Sequence, residues 1–207
     1  MPEEYLSLKD HIRDVETHYL EGLQRIKDYY DGHKENPPLI DAPHEILEKI
    51  AAQFFREAMD SCLMKNDIDL IRYQDSSLYG VCVGCGTEIL MKAIILLKKP
   101  EKLTENFDMG YESAKHVMLN EILGTMEYKK RERISDVLKM IQTKRNQLVH
   151  LSMLKFDAYY EDYQIFSILE YLYSKYFPNS EVLNDIKEHK EMYKVQSGMD
   201  LEPVEFD

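Results

Sequence analysis

Arg145, Asn146 and His150 are the residues of this sequence whose types and spacing best suit chemistry. A helix turns about 100° per residue, so Asn146 and His150 would lie about 40° apart on one face, with Arg145 about 140° from His150. Arginine carries a permanent charge and binds phosphate in a bidentate manner, whereas histidine titrates near neutral pH. A helix that presents these three side chains could bind a phosphate and move a proton.

Glu88 and Lys92 form a second polar group, four residues apart in a stretch that is otherwise almost entirely apolar from Ile89 to Leu97. On a helix surface such a pair is an ordinary ion pair that contributes a few tenths of a kcal/mol, about 0.2–0.5. Because its neighbours are apolar, we expect this pair to face a cleft or an interface.

Helices must position these residues, since apolar residues recur every three or four positions and no segment alternates as a strand would. The predicted helices cover residues 3–31, 43–65, 76–99, 111–123, 125–151, 156–177 and 181–195, and the predicted loops and tail cover residues 33–42, 66–75, 101–109 and 196–207. The helix that begins near Ser76 should lie at the centre of the domain. Gly80, Gly84 and Gly86 each cost it about 1 kcal/mol relative to alanine. Either another helix packs very close there, or this helix begins later.

The composition is that of a soluble globular protein, with 44% hydrophobic and 31% charged residues. The first residues lack the basic, apolar character of a signal peptide and no run of eighteen apolar residues occurs, so we expect a cytoplasmic protein without a membrane partner. The net charge of −12 argues against non-specific nucleic-acid binding. Residues 129–145, however, hold seven basic and two acidic residues, a net charge of +5, which suits a short single-stranded polyanion. Within them, Lys139 and Lys144 are candidates for RNA binding.

The two polar groups together resemble the marks of the HEPN domains (higher eukaryotes and prokaryotes nucleotide-binding). These all-helical modules carry an arginine, four to six residues and a histidine, with a polar residue after the arginine. An upstream core helix often carries a glutamate, three residues and a basic residue. Arg145, Asn146 and His150 match the first mark, and Glu88 and Lys92 match the second.

The resemblance covers residues 76–178 and implies an all-α, HEPN-like helical bundle. The chain would then comprise an N-terminal helical extension packed on the core (residues 1–75), the HEPN-like core (76–180), and a C-terminal helix with an acidic tail (181–207). In toxins of this family that pair with a nucleotidyltransferase antitoxin, a tyrosine often follows two residues after the histidine. Ser152 holds that position here, which argues against that particular pairing.

The resemblance also implies metal-independent cleavage of RNA, in a toxin, defence or RNA-processing role. Arg145, His150 and Asn146 would be the catalytic residues. Glu88 and Lys92 would support them indirectly, by holding or tuning the helix that carries them or by contributing to the charge balance. No cofactor or metal is implied. Members of the family usually form two-fold dimers that bring two such motifs together, so we expect a homodimer, and an antitoxin or regulatory partner is possible.

Two other functional classes remain open. One is a non-catalytic module that binds a nucleotide or a protein through the same Arg145 and His150, and the other is a helical scaffold with a coincidental motif. Cys82 and Cys85 have half of a zinc-ribbon spacing without a second pair, so buried thiols are the better interpretation. The aromatic residues of the helix at 156–177 favour packing over base stacking. The remaining histidines are interpreted as surface or incidental residues: His11, His18, His33, His44, His116 and His189.

Overall fold

The computed structural model describes residues 3–32, 41–63, 71–149 and 158–197, and within these ranges all regular structure is helical. The helices are α1 (Glu3–Tyr30), α2 (Pro43–Leu63), α3 (Ile71–Lys98), α4 (Pro100–Thr104), α5 (Tyr111–Val117) with a π-helical turn (Met118–Ile122), α6 (Tyr128–Val149), α7 (Ala158–Tyr176) and α8 (Val182–Ser197). The all-α fold class expected from the sequence is therefore confirmed for the described part of the chain.

Residues with restricted or permissive backbones mark several helix ends. Gly32, directly after α1, has a φ of 73°, a left-handed conformation that glycine adopts without a steric penalty. Pro43 is the first residue of α2, where its missing N–H is not needed. After α5 the helix widens for one turn, and the Leu123 N–H donates to the Met118 carbonyl five residues back at 2.8 Å.

Three predicted boundaries were wrong. Helix α3 begins at Ile71, five residues before Ser76, so polar residues of the predicted connection belong to it. Part of the predicted loop at 101–109 is helix α4. Pro100 fits the first turn of a helix, and the negative charge of Glu101 interacts favourably with the positive N-terminal end of the helix dipole. Helix α6 begins at Tyr128, three residues later than expected. Helix α8 runs to Ser197, two residues into the predicted tail of residues 196–207, and the rest of that tail lies outside the described residues.

Helix α3 lies at the centre of the bundle, as its apolar sequence predicted. Every residue from Ile89 to Leu96 is buried, Lys92 included. Helix α2 packs along α3 in the most extensive helix pair of the described chain, and α6 also packs on α3. The predicted N-terminal extension therefore contributes α2 to the core. The stretch Tyr79–Lys98 is long and apolar enough to cross a membrane, but 78% of its most apolar window is buried inside the protein.

The aromatic residues of α7 pack in the core rather than forming an open stacking surface, since Tyr163, Phe166 and Tyr173 are all buried. One of these aromatic residues, Phe166, lies against a histidine that was expected at the surface. His189 of α8 is only 4% exposed, and its ring lies 4.9 Å from that of Phe166 and 5.1 Å from that of Tyr193. His189 is thus a core residue and not a surface histidine.

Candidate active site at the contact of α3 and α6

Arg145 on α6 and Glu88 on α3 form an ion pair between the two helices that carry the predicted motifs. Arg145 Nη1 donates to Glu88 Oε2 at 2.7 Å across 57 residues of sequence. The Arg145 side chain is 32% exposed, whereas that of Glu88 is 14% exposed. The expectation that Glu88 holds the arginine is therefore supported by a direct contact, and Arg145 still reaches solvent.

Glu88 also binds Lys92, as its spacing predicted. Lys92 Nζ donates to Glu88 Oε1 at 2.9 Å, and its side chain is only 5% exposed. The same ammonium donates to the hydroxyl of Tyr19 on α1 at 2.9 Å. Hydrogen bonds thus connect Tyr19, Lys92, Glu88 and Arg145 in series across α1, α3 and α6. Tyr19 could not be identified from the sequence, because nothing in the apolar stripe of α1 distinguishes it.

The two cations in this series remain charged at neutral pH. Burial lowers the pKa of Lys92, but Tyr19 and Glu88 outweigh it, so the pKa lies above its ordinary value. Burial likewise acts against the charge of Arg145, whose pKa is nevertheless raised by Cys85 and Glu88. Two cations and one carboxylate leave a net positive charge beside the exposed part of the Arg145 guanidinium, which suits an anionic ligand.

Gly84 explains how α6 comes so close to α3. A Cβ atom at position 84 would lie 2.8 Å from Cβ, 2.9 Å from Cδ and 3.0 Å from Cγ of Arg145. The stem of Arg145 therefore lies directly on the glycine, one helical turn before Glu88. The propensity cost at Gly84 indicated such a close approach, although the sequence alone did not say which residue makes it. Tyr111 borders the same region: burial raises its pKa well above the ordinary value, and its hydroxyl donates to the Leu138 carbonyl at 2.9 Å.

Comparison with protein-family models, with curated proteins and with solved structures finds no significant match. The HEPN resemblance rests on the two motifs.

Of the remaining motif residues, Asn146 is exposed on α6 directly after Arg145. His150 lies outside the described residues, and so does Ser152. Lys139 is exposed, in keeping with its predicted role in RNA binding.

The prediction for Lys144 was wrong, because this lysine is buried at 7% exposure. Its Nζ lies 2.8 Å from Glu161 Oε2 and 3.3 Å from Asp162 Oδ1 on α7. The approach to Glu161 lacks hydrogen-bond geometry, so that contact is electrostatic. Asp162 Oδ1 also accepts a hydrogen bond from the Tyr79 hydroxyl at 2.9 Å. Lys144 therefore joins α6 to α7 rather than offering a charge to RNA.

The cysteines fit the interpretation as thiols: Cys82 is buried and Cys85 partly so, and neither forms a disulfide bond. No cluster of three or more side chains suited to a metal ion occurs among the described residues.

Gly84→Ala should force α3 and α6 apart, since the Arg145 Cβ it would meet is fixed to the backbone. We expect it to lower the free energy of unfolding by about 1–3 kcal/mol, as overpacking does. Gly86→Ala is a matched control, because its Cβ would lie 2.9 Å from Cε1 of Phe55, away from Arg145. Thermal unfolding should reveal a loss in both variants, but the side-chain Nε–H signal of Arg145 in NMR spectra should move only in Gly84→Ala. Equal shifts of that signal in the two variants would contradict the close contact.

Proposed function

We propose that this protein is a metal-independent endoribonuclease that cleaves single-stranded RNA by attack of its 2′-hydroxyl, inside the cell, in a toxin, defence or RNA-processing role. The observation that carries the proposal is the 2.7 Å contact between Arg145 and Glu88, which joins the two motifs of the HEPN resemblance in one site. A single site that uses both motifs requires them to lie within contact distance of each other.

RNA supplies its own nucleophile, so the protein needs a proton carrier and a charge to stabilise the pentavalent phosphate. The 2′-oxygen bonds to phosphorus as the bond from phosphorus to the 5′-oxygen breaks, which leaves a 2′,3′-cyclic phosphate and a 5′-hydroxyl. In this proposal the 2′-hydroxyl proton passes to a base and the 5′-oxygen receives one from an acid. His150 of one or both subunits serves in these steps, since histidine exchanges protons near neutral pH.

Arg145 would stabilise the negative charge that builds on the phosphate oxygens. A guanidinium has five N–H donors, and the bond to Glu88 uses Nη1 alone. The stem of Arg145 lies on Gly84 and one edge of its guanidinium is bound by Glu88. Binding of a phosphate would therefore immobilise few further rotatable bonds of this side chain. Asn146, exposed beside it, would orient the phosphate or His150.

We further propose a two-fold homodimer in which two copies of the motif face one groove, as the resemblance implies. An antitoxin or regulatory partner would then control access to that groove.

A nucleotide-binding module is the second candidate, because the Arg145–Glu88 pair would serve it equally well. An arginine held by a carboxylate at 2.7 Å can grip a phosphate without any turnover. The nuclease would release cleaved RNA, whereas the binding module would leave the RNA intact.

The purified protein should cut a single-stranded RNA oligonucleotide in excess EDTA and leave a 2′,3′-cyclic phosphate, which mass spectrometry detects. The matched control is the same oligonucleotide with one 2′-deoxynucleotide at the cut site, which should survive because the nucleophile is missing. Cleavage of this control, or activity that disappears with EDTA and returns with Mg²⁺, would rule out the mechanism. Arg145-dependent binding of RNA without any cleavage would instead favour the binding module.

A further inference from the structure

Helix α6 presents a polar stripe that leads along its surface to the candidate site. Its members are spaced four, four, three and four residues apart, so they lie within about 80° of one another around the helix. They are Arg131, Ser135, Lys139, Gln142 and Asn146. We call this set the 131–146 stripe. Lys139 and Asn146 are exposed and the other three are partly exposed.

We propose that the 131–146 stripe is the track on which single-stranded RNA approaches Arg145, with Arg131 and Lys139 contacting two phosphates of the same strand. This proposal rests on the proposed function and adds the path of the substrate. At about 1.5 Å per residue the stripe is about 22 Å long, which matches about six nucleotides of a stacked strand. Ser135, Gln142 and Asn146 offer hydrogen bonds between the two cations and beyond them.

The other basic side of α6 does not lead to the site. Lys129 and Arg133 are exposed on a face about 140° around the helix from the stripe. Farther along that face comes Lys144, which is buried against Glu161 and Asp162 of α7. An RNA strand that followed this face of α6 would therefore meet α7 before it reached Arg145.

Helix α5 borders the stripe, and acidic side chains lie close to it. Glu112 of α5 interacts with Gln142, but its carboxylate is paired with Lys115 at 2.8 Å, and these hydrogen bonds lower its pKa. Glu132 and Asp136 lie on α6 between the two basic faces. They separate the faces electrostatically, so a strand bound along the stripe gains little from Lys129 and Arg133.

Two double variants of equal charge test the track: Arg131→Gln with Lys139→Gln on the stripe, and Lys129→Gln with Arg133→Gln on the opposite face. The probe is a fluorescent eight-nucleotide 2′-O-methyl RNA, which the proposed reaction cannot cleave. Fluorescence anisotropy at several salt concentrations gives Kd and its salt dependence. Loss of two phosphate contacts with a single strand should make the fall of log K with log salt less steep by about 1.4. The stripe variant should therefore bind about 25-fold more weakly at 0.1 M salt.

The variant of the opposite face should lose less than about threefold and keep the slope. Because Arg131 Nη1 also donates to the Gly124 carbonyl, the single variants Lys139→Gln and Lys129→Gln provide a comparison that leaves this bond intact. Equal losses on the two faces would overturn the track while leaving the proposed nuclease in place. A wild-type protein that binds no RNA would overturn both.

Discussion

Replacing His150 by alanine should lower the rate of RNA cleavage by about 10²–10⁴-fold, the usual contribution of a general acid or base. Arg145→Ala should lower it by about 10²–10³-fold, because the charge proposed to stabilise the transition state is lost. Single-turnover cleavage with excess enzyme measures both effects. The melting temperature of His150→Ala should stay within about 2 °C of the wild type, since the proposal places His150 in a wet groove.

His116→Ala is the matched control for His150→Ala. His116 is exposed on α5 and contacts Asn120 of the adjoining π-helical turn, so its loss removes an imidazole away from the motif. Cleavage by this variant should equal that of the wild type. If His150→Ala unfolds the protein, or if it cleaves at the wild-type rate, the assignment of His150 as the proton carrier is wrong.

Lys144→Met should lower the free energy of unfolding by about 3 kcal/mol, because it leaves two carboxylates on α7 without their cation. Asp162 is buried and Glu161 only a third exposed, so water cannot fully replace the lysine. For a chain of this size the melting temperature should fall by about 6–12 °C, which thermal unfolding measures. Lys139→Met is the control, since this exposed lysine lies five residues earlier on the same helix.

Adding Asp162→Asn to Lys144→Met should recover part of the lost stability, because it removes one of the two carboxylate charges that had faced the lysine. A loss below about 0.5 kcal/mol in Lys144→Met, equal to that of Lys139→Met, would show that the buried cluster does not stabilise the fold.

Much of the architecture could be predicted from sequence, because the residues that end and begin helices act locally. Gly32 and Pro43 mark real helix boundaries, and the apolar run from Ile89 to Leu97 identified the central helix. The start of α3 was missed because its first turns are polar and lack a distinct signal.

The candidate site was predictable only in part. Spacing on one helix relates Glu88 to Lys92, but the contacts of Arg145 and Lys144 join residues on different helices. A sequence shows that Lys144 is charged and cannot show that two carboxylates on α7 surround it. The same limit applies to Tyr19, whose hydroxyl reaches Lys92 only because α1 folds back on the bundle.

The distance in sequence between Glu88 and Arg145 has a consequence for the order of folding. Helices α2 and α3 are neighbours in the chain and form the most extensive contact, so they meet at a low cost in loop entropy. The Arg145–Glu88 pair spans 57 residues and forms only when α6 docks. During synthesis α2 and α3 therefore leave the ribosome before Arg145 does. A nascent chain of this protein cannot assemble its candidate site until Arg145 has left the ribosome, which delays any activity toward the RNA around it.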